Sequence, residues 1–126
     1  MSAYALISCL YGPLGKSEHL FADAVDVVCE LLFVSNVPLP SIVVMRDVYS
    51  RVAEAHQMSP RTVARSVERA ANRFWEKSPP EVARCIIGRT LHDINAPRDM
   101  LFYFAYYLHY GKSFYDVMQE EAAISF

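Results

Sequence analysis

The chain contains no uninterrupted apolar run near the roughly 18 residues needed to span a bilayer, although 53% of its 126 residues are hydrophobic. No membrane-spanning helix is expected. Its N-terminus, MSAYALISCLYG, lacks a basic region ahead of the apolar stretch and makes a poor secretory signal. Cysteine is scarce: Cys9, Cys29 and Cys85 are odd in number and widely spaced. That suits buried thiols in a reducing cytoplasm better than a disulfide framework. Metal-ligand spacing is missing too, since His19, His56, His92 and His109 form no such pattern with one another or with the cysteines. Cys85 and His92 are near in sequence, but the first reads as part of an apolar helix and the second as part of a loop. No carboxylates pair as an acid/base couple, so no enzyme, cofactor, metal or small-molecule substrate is expected. Internal repeats and low-complexity tracts are absent as well.

One glycine is lacking where it would matter. GPLGKS at Gly12 to Ser17 is superficially like a phosphate-binding loop and follows the one strand-like stretch, Tyr4 to Leu10. A Walker pattern needs a glycine five positions before Gly15, and that position is Leu10. The segment reads instead as the entry to a helix capped by Ser17.

At this length the chain is one domain with room for a core. Its net charge is −2, but the charge is unevenly spread. Residues 46–98 hold ten Lys/Arg and six Asp/Glu, a net of +4, while residues 1–45 and 99–126 each come to −3. Positive charge is therefore concentrated in the middle of the sequence, as a DNA-facing surface would require.

That middle contains VAEAHQMSPRTVARSVERAANRFW, residues 52–75, which reads as two helices joined by a tight turn. Val52, Ala53 and Met58 close the first helix, with small Ala53 where a second helix approaches. Ser59-Pro60 restarts the chain, serine as N-cap and proline at the first helical position. Val63, Val67, Ala70 or Ala71, and Phe74 give one apolar stripe at helical spacing. Arg61, Arg65, Arg69 and Arg73 form another that winds slowly, since four residues overshoot one turn. Guanidinium forks bind phosphates and read guanine edges. The same pattern also fits a solvated helix face on which Glu68 and Glu76 make intrahelical ion pairs.

Elsewhere a helix is expected from about Ser17 to Phe33, burying Leu20, Phe21, Ala24, Val25, Val28, Leu31 and Leu32. Pro38 and Pro40 break it, and Ser41 caps a second helix reaching His56. Ser78-Pro79-Pro80-Glu81 resembles a capping box opening a helix to Ile87, ended by Gly88. A loop at His92 to Ala96 precedes Pro97, from which an aromatic helix runs to Tyr110. Gly111 stops it and Ser113 starts a last short helix. The fold class is all-α, a compact bundle of about six helices containing a helix-turn-helix. Phe102, Tyr103, Phe104, Tyr106, Tyr107 and Tyr110 cover several faces of the 97–110 helix, which fits either self-association or core packing.

VYSRVAEAHQMSPRTVARSVERAANRFW, GPLGKSEHLFADAVDVV and IIGRT with Pro97 together resemble the C-terminal DNA-binding effector domain of the sporulation master response regulator of endospore-forming bacteria. The resemblance runs from about Leu6 to Tyr110, and Val63, Arg65, Ala70 and Trp75 match its strongest part. It implies an all-α domain that binds duplex DNA in pairs on short boxes and activates or represses transcription. In that family a receiver domain comes first; residues 1–16 are too few to be one, and Met1 favours a natural start. Arg65 falls on a family arginine and is the expected base reader. Glu68 stands where the family has a second arginine, Ala64 replaces a glutamate, Arg69 a histidine, and Gln57 sits where many such motifs have glycine.

The expected DNA-binding set is Arg61, Thr62, Arg65, Ser66, Arg69, Arg73 and Lys77. Within it Arg61 and Arg69 follow Arg65 as base readers, and Arg73 and Lys77 reach phosphates. The expected partner is duplex DNA, met as a homodimer or tandem pair in the cytoplasm. The alternative is a protein-interaction module that dimerises with or titrates a full-length regulator.

Overall fold

A computed structural model describes residues 1–89 and 97–125. Among these residues it contains seven α-helices and no strand. The strand-like stretch is the first surprise: Ala3–Tyr11 forms helix α1, capped by the Ser2 hydroxyl, which accepts from the Ala5 N–H at 3.1 Å. Alternation gave way to the buried set Ala3, Leu6 and Ile7, which recurs at helical spacing.

Helix α2, Lys16–Cys29, buries Leu20, Phe21, Ala24, Val25 and Val28 and continues through one π-helical turn, Glu30–Val34. Its cap is Gly15 and not Ser17, which already lies inside the helix. Asn36 ends the segment in a left-handed conformation at φ 55°, where asparagine is tolerated. Ser41 caps nothing either. The chain passes Leu39–Ser41 as a short 3-10 turn and enters the next helix at Val43, whose N–H donates to the Asp47 carboxylate at 2.8 Å. A π-helical turn, Val44–Tyr49, runs into α3, Ser50–His56.

Gln57, Met58 and Ser59 turn the chain into α4, Pro60–Lys77. Gln57 carries the turn at φ 55°, ψ 47°, and its N–H and that of Met58 return to the carbonyls of Glu54 and Ala53. A left-handed cap disfavours any residue with a Cβ. Gln57→Gly is expected to raise stability by about 0.5–1 kcal/mol. Urea unfolding would show a higher midpoint at unchanged slope; a lower midpoint would count against the cap geometry.

Ser78 ends α4 and does not open the next helix. Its hydroxyl donates to the Phe74 carbonyl at 2.6 Å and also meets the Tyr11 hydroxyl, so the expected capping box is not formed. Helix α5, Pro80–Ile86, starts behind Pro79 with no side-chain cap, and Gly88 follows it. The segment expected as a loop at His92 to Ala96 lies outside the described residues, as does Thr90. Helix α6, Asp99–Tyr110, ends at Gly111 in a left-handed conformation, and Ser113 caps α7, Phe114–Ser125, accepting from the Asp116 N–H at 3.2 Å.

Helix α2 is central and packs on both α4 and α6, with α1 lying across α2 and α6, and α7 against α6. Residues Met100 to Tyr106 are all buried. The aromatic helix is thus surrounded by its neighbours, which accounts for aromatics on all its faces; Tyr110 alone among its tyrosines is exposed. Phe21, Phe74 and Phe104 meet edge to face, with ring centroids 5.0 to 6.2 Å apart, and Tyr11 stacks on Phe74 at 4.3 Å. Among the described residues no helix is long and apolar enough to cross a membrane.

Candidate nucleic-acid interface

Helix α4 owes its start to Ser59, whose hydroxyl accepts from the Thr62 N–H at 3.2 Å and lies 2.8 Å from the Thr62 hydroxyl, with Pro60 at the first helical position. Val63, Ala64, Val67, Ala70, Ala71 and Phe74 are buried against the bundle. With one face fixed, the rest of the helix must look outward. Arg61, Thr62, Arg65 and Arg69 are exposed and Ser66 is half-buried. Each step of four residues turns the helix by about 40° beyond a full turn, so the arginine stripe starts on the outward face and drifts towards α2.

The drift separates the four expected arginines into two sets. Arg61, Arg65 and Arg69 take part in no ion pair among the described residues. Arg73, further along, is paired: its guanidinium Nη1 donates to the Glu18 carboxylate in the first turn of α2. Glu18 is a buried acid, its side chain 11% exposed against 42% for Arg73. Lys77 is exposed at the end of the helix.

Arg65, Arg69, Arg73 and Lys77 line one open groove of about 580 Å³ together with Glu68, Asn72 and Glu76. The basic surface is therefore interrupted by two carboxylates. Neither forms an ion pair among the described residues, so the intrahelical pairs that a solvated helix face would carry at Glu68 and Glu76 are not made there. Glu68 faces the buried Tyr49, whose hydroxyl finds no hydrogen-bond partner among the described residues. Burial holds the Tyr49 phenol well above its ordinary pKa, and the Glu68 carboxylate adds to the effect.

Two contacts hold α3 to α2. Arg51 Nη2 donates to Glu30 Oε2 at 2.6 Å, and His56 Nε2 lies 2.6 Å from Asp23 Oδ2. Both are largely exposed and contribute little to stability; their geometric effect is to tie the turn before α4 to the central helix.

The thiols differ from expectation. Cys9 and Cys85 are exposed, and only Cys29 is partly covered. Burial and then the nearby Asp26 push the Cys29 thiol up to about 11, leaving it protonated and poorly nucleophilic at neutral pH. No group of three or more His, Cys, Asp or Glu that could hold a metal occurs among the described residues.

Sequence reasoning missed Glu18 and Tyr49. An acid in the first turn of α2 was visible, yet it is an ordinary helix-start residue, and nothing local ties it to an arginine far along the chain. Comparison with protein-family models, with curated proteins and with solved structures gave no match.

Proposed function

We propose that the protein binds duplex DNA through α4 and regulates transcription, acting in the cytoplasm as a dimer or tandem pair on its site. One observation carries this reading. Arg61, Arg65 and Arg69 lie exposed, without ion pairs among the described residues, on the outward face of a helix that follows a tight turn. A guanidinium with no internal partner gives up nothing when it meets a phosphate or a guanine edge. In this reading the N-terminal half of α4 enters the major groove. Arg65 reads a base, Arg61 and Arg69 flank it, and Thr62, Ser66 and Lys77 contact the backbone.

A second reading also has a specific observation behind it. Glu68 and Glu76 share the groove with the cations, a mixed surface that suits a protein partner such as a full-length regulator.

Fluorescence anisotropy against a family-type box and a scrambled duplex, across a salt series, separates the two. With Arg61, Arg69 and Lys77 on phosphates, the slope of log K against log salt is expected to be about −2.7 or steeper. Arg65→Ala is expected to weaken binding to the box by about 1–3 kcal/mol and to relax its preference over the scrambled duplex. No binding to either duplex at low salt by the folded protein would sink the DNA reading and favour the protein partner.

A further inference from the structure

We propose that Arg73 does not contact DNA: it belongs to Glu18, and the Glu18–Arg73 pair positions α4 for recognition. This rests on the DNA-binding reading above and refines which part of α4 it uses. Glu18 is 8% exposed, and a buried carboxylate stripped of its partner is costly. Arg73 donates to it directly. Drawing the guanidinium away to a phosphate would strand that carboxylate, whereas Arg61, Arg65 and Arg69 leave nothing behind.

The carboxylate itself is tightly seated. It lies in the first turn of α2, where the helix dipole favours an anion. A Cβ built on Gly15 would come within 3.0 Å of Glu18 Oε2, so the backbone of the α1–α2 turn closes against it. Arg73 adjoins Phe74, which is fully in the core against Phe21 of the same α2. Two consecutive residues thus grip α2, one by packing and one by charge. Together they fix the rotation of α4 about its own axis, and that rotation decides which arginines point outward.

The test is the salt-series titration repeated with Glu18→Gln, Arg73→Ala and the double variant, on both duplexes, with circular dichroism to confirm folding. Arg73→Ala should keep the wild-type salt slope, because no phosphate contact is lost, while its box preference falls at least several-fold. Glu18→Gln, close to isosteric, frees the guanidinium beside the groove and should steepen the slope by about 0.9, the increment of one phosphate. The double variant should return to the wild-type slope. A slope shallower by about 0.9 in Arg73→Ala would make Arg73 a phosphate contact and overturn the proposal. Unchanged slope and preference in both single variants would reduce the pair to a structural bridge and overturn it as well. If Arg73→Ala fails to fold, Glu18→Gln decides alone, an unsteepened slope refuting the proposal. A wild-type protein that binds neither duplex removes the DNA reading itself, an outcome distinct from any of these.

Discussion

Replacing Gly88 with alanine is expected to destabilise the protein by about 2–6 kcal/mol, from two independent causes that add. The first is the backbone. Gly88 sits at φ 94°, outside even the left-handed region that asparagine tolerates, and a side chain there costs about 1–3 kcal/mol. The second is space. An added Cβ would lie far inside contact distance of Ser113 Oγ, 3.0 Å from Ser113 Cβ and 3.2 Å from Tyr115 Cβ. Ser113 is 3% exposed and caps α7, so it cannot move aside without releasing the Asp116 N–H. Tyr115 is held as well, its N–H donating to the Ile87 carbonyl at 3.0 Å and its ring lying 3.7 Å beneath the Arg89 guanidinium. Overpacking of such a site adds about 1–3 kcal/mol. Equilibrium urea unfolding measures the sum, and Gly88→Ala with Ser113→Gly, compared with Ser113→Gly alone, should recover only the part of the steric cost that comes from Ser113. A loss below about 1 kcal/mol in the single variant would show that α7 does not dock on the turn after α5.

What the sequence made legible follows the range of the forces involved. Helix α4 was readable because its start, Ser59-Pro60, and its stripe, Val63, Val67, Ala70 and Phe74, are local signals that point the same way. The C-terminal end of α6 was readable for the same reason, with Gly111 a residue whose left-handed conformation is visible in its identity, whereas the helix begins at Asp99 and not at Pro97. Serines misled where two partners competed for one hydroxyl. Ser78 was expected to cap α5, yet the Phe74 carbonyl and the Tyr11 hydroxyl hold it at the end of α4. Helix α1 was not read as a helix because Tyr4 to Leu10 alternates over too few residues to separate the two periods. The aromatic helix could be read two ways because burial on all sides depends on neighbours α1, α2, α5 and α7, which only the tertiary fold brings together. In the candidate site the arginine stripe was plain. Its division into free and paired members was not, since Glu18 and Arg73 meet only through the packing of α2 on α4.

That packing makes Phe74 the second position of large effect. Phe74→Ala is expected to cost about 3–5 kcal/mol, because the ring is 1% exposed and touches three others: Tyr11 stacked at 4.3 Å, Phe21 at 5.0 Å and Phe104 at 6.2 Å. These rings come from α1, α2 and α6, so no single helix can shift to fill the space and most of the cavity would persist. The adjoining backbone carries a second load, since the Phe74 carbonyl accepts from the Ser78 hydroxyl that also holds Tyr11. Calorimetry should therefore show a fall in Tm of at least about 10 °C for a domain of this size. The effect on DNA is separable from the effect on folding. Under conditions where the variant is folded, its salt slope should match wild type, because Arg61, Arg65 and Arg69 remain on the outward face. Its preference for the box should weaken, because α4 has lost the aromatic contact that, with Arg73, fixes its rotation against α2. A variant as stable as wild type would mean that the four rings do not form one packed unit. One that lost stability yet kept full preference would mean that the orientation of α4 is set elsewhere.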